Sequence, residues 1–182
     1  MGTSGGTNRS FREMVGESFI LQSGIPFSTQ QEQMYRQVRE YTGRFPGKAV
    51  VSVYNDVSPI TSLMAGGAQV IMSNQKEGFY LFVNKYLAGI RMNMKPKDDI
   101  VEDNKQNWCM IDNKNNSILI YSLSGSSIVV SKDLSIKNYR GVWFDPLSEK
   151  VIPFKGIQML QNGVVINKPS RLNWILLLQA EK

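Results

Sequence analysis

The chain has 182 residues, 42% of them hydrophobic, with a formal net charge of +6, one cysteine and no histidine. Lacking histidine, it holds no imidazole base, no Ser-His-Asp or Cys-His nucleophile and no His-ligated zinc; Cys109 alone forms no intrachain disulfide or cysteine cluster. No cofactor and no metal are expected, and no apolar run approaches the ~20 residues of a membrane helix.

The opening stretch Met1–Ser10 is rich in Gly, Thr and Ser and shows no apolar core of a secretory signal. Ser18–Gln22 is a short apolar run, read as the first strand. Ser28 and Gln31 have capping-box spacing, and Met34, Val38 and Tyr41 follow at i, i+4, i+7, which predicts a helix ending at Gly43. Lys48–Tyr54 is β-branched and almost continuously apolar, the pattern of a strand buried on both faces of a parallel sheet. Ser58-Pro59 opens a second helix that stops at Gly66-Gly67. Ala68–Met72 reads as a third strand. A last helix begins at Asn74 and Glu77, with Phe79, Phe82, Val83, Tyr86, Leu87 and Ile90 along one face. Strands alternating with helices imply a parallel sheet with right-handed crossovers over residues 1–97.

Lys95–Asn107 is charged and has little to bury, so residues 98–107 are read as a linker. Residues 108–182 then carry seven short β runs, Trp108–Ile111, Ser117–Tyr121, Ser127–Val130, Gly141–Phe144, Ile157–Leu160, Gly163–Ile166 and Trp174–Gln179. Turn signals separate them, among them Asn162-Gly163, the dipeptide of two-residue hairpins in which both positions take φ > 0. That spacing predicts an antiparallel β-sandwich or small barrel. The fold class is therefore α/β plus all-β.

Charge is uneven: residues 1–97 hold 11 Lys and Arg against 6 Asp and Glu, residues 98–182 hold 10 against 9. The excess is scattered, with no basic cluster, RNP-like or zinc-finger pattern, so it reads as solvated surface, and neither nucleic acid nor membrane is an expected partner.

In a parallel α/β sheet ligands bind at the carboxyl ends of the strands. Those ends supply Gln22 and Ser23, then Asn55 and Asp56, then Ser73 and Asn74, a polar rim of amides and hydroxyls suited to sugar hydroxyls. Asn, Ser and Asp also cap the helices that follow, which is the better account of Asn74 with Glu77. Asp56 has no such duty, because Ser58-Pro59 already supplies the cap. Glycoside hydrolysis usually needs two carboxylates flanking the scissile bond, and the strand ends offer Asp56 alone. Among the aromatics of the second half, Trp143 and Tyr139 flank a loop and are candidates for stacking on a sugar ring, whereas Trp174 reads as core.

Several linked signals together resemble one family. They are Gln22-Ser23-Gly24 after a strand, Ala65-Gly66-Gly67 before the next, Met94 and Pro96 ahead of the boundary, Trp143-Phe144-Asp145-Pro146 in a turn, and Pro169 leading to Asn173-Trp174-Ile175-Leu176-Leu177. The family is the apiosidase-like (β/α)8 glycoside hydrolases of gut and soil bacteria, whose barrel is followed by a β-sandwich of the collagen-binding type. The resemblance spans nearly the whole chain but only the last part of the family pattern. It implies a partial (β/α)8 TIM-barrel segment of about three units over 1–97, then the sandwich over 108–182. The departures are Ile25 where the family has His, Asn55-Asp56 near its catalytic Glu, Glu149 where its turn closes with Gly, and Asn173 where it has Asp.

What the resemblance implies is a bacterial carbohydrate-active protein of glycoside hydrolase type with Asp56 in the nucleophile position; the strand-end reading adds Gln22, Ser23, Asn55 and Asn74, and the aromatic reading Trp143, as expected substrate-binding residues. A closed barrel takes about 250 residues and eight strands. The chain is thus expected to be a C-terminal portion, not catalytically complete alone, whose sheet is finished by a missing barrel half or a second copy. Periplasmic or extracellular placement would follow for a longer secreted protein. The alternative is a non-catalytic carbohydrate- or matrix-binding module.

Overall fold

The computed structural model describes residues 3–5, 20–23, 31–46, 49–52, 59–68, 77–134 and 137–181. They fall into two compact units, Met1–Gln75 and Lys76–Lys182.

In the first unit, Met34, Tyr35, Val38 and Tyr41 form the buried stripe of helix α1 (Gln31–Arg44), while Glu32 and Arg36 pair on its outer face at 2.8 Å. This is the amphipathic helix that the 3.6-residue period predicts. Three strands, β1 (Thr3–Gly5), β2 (Ile20–Ser23) and β3 (Ala49–Ser52), pair in parallel in the order β1-β2-β3. The first of these has no apolar pattern, and nothing in its sequence signals a strand. Pro59 opens helix α2 (Pro59–Met64), of which Ile60 through Met64 are buried. Thr42 Oγ1 lies 3.2 Å from the Ala65 carbonyl oxygen, tying α1 to the end of α2.

The second unit begins with the strongest apolar period in the sequence. Helix α3 (Glu77–Phe82) runs into a π-helical turn, Val83–Leu87, and buries Phe79, Phe82, Val83 and Leu87. Beyond it lie β4 (Met94–Pro96), β5 (Asn107–Asp112), β6 (Ser117–Ser122), β7 (Ser127–Val129), β8 (Tyr139–Phe144), β9 (Val151–Ile157), β10 (Val165–Asn167) and β11 (Trp174–Ala180). Six of them form an antiparallel sheet in the order β4-β5-β6-β11-β8-β9, and β10 pairs with β7 in a small second sheet.

Pleating sorts the large sheet into two apolar faces. Cys109, Ile111, Ile118, Ile120, Trp143, Trp174, Leu176 and Leu178 enter one core with Ile128, Val130, Leu160 and Ile166, giving the sandwich-like arrangement. Trp108, Met110, Leu119, Tyr121, Phe144, Ile175 and Leu177 alternate with them on the other face and are buried as well. Helix α3 packs on this second face, with the Phe82 and Phe144 rings stacked at 4.6 Å. Burial on both faces explains why β6 and β11 read as unbroken apolar runs. Each such large side chain contributes about 1.5–3 kcal/mol of transfer free energy.

The structure differs from the sequence expectation in four places. Residues 98–107 are not a free linker: Ile100 and Val101 are buried, Val101 bridges to Val130, and Asp98 Oδ1 accepts the Cys109 N–H at 3.2 Å. Helix α3 likewise falls in the second unit, because its aromatic face packs on Phe144. A strand occupies 151–157 rather than 157–160; it lies at the sheet edge, where Pro153 is tolerated. At Asn162-Gly163 only Gly163 has φ > 0 (83°), and the flanking segments do not pair with each other as a hairpin, since β10 pairs with β7.

Candidate functional site

Parallel pairing brings the carboxyl ends of β1, β2 and β3 to one edge of the first unit. Gly5 is level with Ser23, and Ser23 with Ser52, so Gln22 and Ser23 close β2 where its neighbours also end. Loops leaving such an edge are where α/β sheets carry their ligand groups. The Ala68 N–H donates to the Val50 carbonyl at 2.8 Å, which places the start of the expected third strand beside β3. Asn55, Asp56 and Asn74 lie outside the described residues, as do Ser28 and Gln69–Met72. Of the polar rim, the structure thus brings Gln22 and Ser23 to a shared edge by their backbone positions.

Trp143 sits elsewhere. Its ring is 3% exposed and meets Phe154 edge-on at 6.1 Å and Trp174 at 6.2 Å. It offers no open face to a sugar, and its register position beside Leu176 puts it in the sandwich core. Tyr139 is also buried, its hydroxyl donating to the Asn115 carbonyl at 2.7 Å. Trp108 and Trp174 are core residues too, each with its indole N–H satisfied, by the Asn104 carbonyl at 3.1 Å and by Ser170 Oγ at 2.9 Å. A buried indole needs such a partner.

Two groups with chemical character escaped the sequence reading. Lys168 is 8% exposed; its Nζ donates to Ser122 Oγ and to the Ser124 carbonyl, both at 3.0 Å, and no carboxylate faces it among the described residues. Burial pushes its ammonium down to about 8, because the charged form loses hydration that two neutral acceptors replace only in part. A lone lysine in the segment Asn167-Lys168-Pro169 carries no sequence signal of burial. The second is the β8–β9 edge, where a cleft of about 320 Å³ opens beside Arg140, Lys155 and Gly156. On the surface, Lys132 bonds Asp99 and holds its carboxyl below the usual range.

Among the described residues no cluster of His, Cys, Asp and Glu is arranged to hold a metal, and no helix is long and apolar enough to cross a membrane.

No protein-family model matches the chain, and no curated protein matches it by sequence. Solved structures do match by fold. One described as a glycoside hydrolase aligns with a TM-score of 0.54 at 15% identity, over 86% of this chain and 48% of its own. A family 5 glycoside hydrolase from Bacteroides vulgatus aligns with a TM-score of 0.60 at 12% identity, over 93% of this chain and 48% of its own. The chain thus spans about half the length of these proteins, and over that span its fold is glycoside hydrolase-like.

Proposed function

We propose that this chain is the C-terminal portion of a bacterial carbohydrate-active protein of the apiosidase-like glycoside hydrolase type. In this reading the last units of a (β/α)8 barrel lie in the first unit, which ends at Gln75 rather than at residue 97, and a β-sandwich of the collagen-binding type makes up the second, with helix α3 and residues 98–107 packed into it. The observation that carries its glycoside hydrolase part is the fold match over 86% and 93% of this chain to two glycoside hydrolases about twice its length; the apiosidase-like and collagen-binding parts rest on the sequence resemblance. The sequential order of parallel strands, β1-β2-β3 with Ala68 next to β3, supports a singly wound sheet. Carbohydrate is the proposed partner, held through Gln22, Ser23, Asn55 and Asn74 at the strand ends, with Asp56 as nucleophile and a second copy or missing barrel half completing the sheet.

A second reading, a non-catalytic glycan-binding module, is favoured by the single carboxylate at those strand ends, since hydrolysis needs an acid and a nucleophile. One experiment separates the two. Reducing-sugar release and polysaccharide binding are measured together for the chain and for Asp56→Asn. The hydrolase reading expects turnover only where a second copy or the missing barrel half completes the sheet, falling at least about a thousandfold in Asp56→Asn with binding retained; the binding-module reading expects binding and no turnover in any of these assemblies. Absence of both turnover and binding in both proteins contradicts the carbohydrate assignment itself.

A further inference from the structure

The β8–β9 ladder contains a bulge. Tyr139 pairs with Ile157 and Gly141 with Phe154, so Arg140 alone stands opposite Lys155 and Gly156. Gly156 has φ 101°, and a Cβ there would lie 2.9 Å from the Tyr139 carbonyl oxygen, so glycine is required to keep the bulge open. Bulges re-aim side chains and recur beside functional sites. The cleft of about 320 Å³ lies at this bulge, lined by Asn138, Arg140, Lys155, Gly156, Gln158 and Glu181 among others. That volume lies at the lower end of small-molecule sites, which run from about 300 to 1,000 Å³.

The chemistry of the lining is specific. Arg140 Nε is paired with Glu181, which neutralises one cation. Lys155 has no ion pair among the described residues, leaving one uncompensated ammonium at the rim. The side-chain amides of Asn138 and Gln158 have no hydrogen-bond partner among the described residues, and an amide both donates and accepts, as a pair of vicinal hydroxyls requires. Gly156 and Ile157 complete the lining. No aromatic face is open here, because Tyr139 contributes to the lining while its ring is 1% exposed.

We propose that this cleft binds one carboxylate-bearing ring of an acidic saccharide, a uronate, with Lys155 receiving the carboxylate and the Asn138 and Gln158 amides the hydroxyls. The inference rests on the reading of the chain as carbohydrate-active and adds a second site with its ligand class. One free ammonium matches a singly charged carboxylate, and the exposed setting implies a dissociation constant of roughly millimolar order, weakened by salt.

The test is an amide-resolved NMR titration of the full chain with trigalacturonic acid, its methyl ester, xylotriose and inorganic phosphate. The expected result is saturable shifts at Gly156, Ile157 and Gln158 with the acid, about tenfold weaker for the ester and in Lys155→Gln. The exposed position of Lys155 lets that variant fold, which its unperturbed spectrum elsewhere verifies. Equal shifts with xylotriose or the ester, equal shifts with phosphate, or an unchanged affinity in Lys155→Gln would overturn the uronate site and leave the carbohydrate reading standing. Shifts from xylotriose confined to other residues, with none from the acid, would do the same. No response to any saccharide anywhere in the chain removes both.

Discussion

The backbone N–H of Gly78 donates to Oε2 of Glu149 at 3.2 Å, and a Cβ at position 78 would fall 2.6 Å from the Cβ of Glu149. Gly78 stands in the first turn of helix α3, where amide hydrogens lack intrahelical partners and a carboxylate is favoured. Glu149 itself has φ 58°, in the left-handed region where glycine is the unstrained residue. The residue that departs from the resembled turn pattern thus holds the β8–β9 turn against the helix that covers Phe144.

This pair predicts a specific non-additivity. Gly78→Ala brings overpacking of about 1–3 kcal/mol, offset by up to about 1 kcal/mol of helix propensity, for a net loss of about 1 kcal/mol. Glu149→Gly relieves about 1–2 kcal/mol of backbone strain and loses a charged hydrogen bond of similar size, so it is nearly neutral. In the Glu149→Gly background the Gly78→Ala change no longer meets a Cβ and becomes neutral or stabilising. Urea denaturation of the four proteins measures the coupling, expected to exceed about 1 kcal/mol; additive effects would contradict the contact.

Lys168 predicts a pH dependence whose sign is fixed by its lowered pKa. Folded, the ammonium titrates at about 8; unfolded, at the ordinary 10.5. Between those values the unfolded chain holds the extra proton, so stability rises as pH increases through this window. Below about pH 8 both states are protonated and the fold carries the whole cost of the buried charge. Lys168→Met removes the rise, and denaturant titrations between pH 7.5 and 10.5 read the difference in slope. An unchanged slope would mean that the ammonium is solvated in the folded chain.

Trp143 separates packing from recognition. Trp143→Ala is expected to cost about 3–5 kcal/mol, the range for deleting a large buried aromatic. Trp143→Phe retains much of the volume and is expected to keep both the fold and any polysaccharide binding. Loss of binding by a folded Trp143→Phe would restore the ring to a recognition role.

Legibility followed burial pattern. Ser117–Tyr121 and Trp174–Gln179 were readable to within a residue or so because both faces of β6 and β11 are buried and the apolar run is continuous. Helix α1 was readable from Met34, Val38 and Tyr41, which sit on its inner stripe. The edge strand β9 was not: Pro153 and Gly156 interrupt its pattern, and an edge needs neither a full hydrogen-bond ladder nor burial on two sides. Ile100 and Val101 were hidden among charged neighbours, although both pack into the sandwich core. At the strand-end rim, residue type and strand position were legible in Gln22 and Ser23. Burial is a property of partners distant in sequence, so neither the enclosure of Trp143 by Phe154 and Trp174 nor that of Lys168 could be read locally.

The central claim is that this chain engages carbohydrate. Affinity electrophoresis of the full chain through gels containing neutral soluble polysaccharides, such as arabinoxylan and β-glucan, tests it without requiring turnover. The account predicts retarded migration in at least one gel, reversed by added oligosaccharide. Migration identical to a non-binding reference protein in every gel would contradict it.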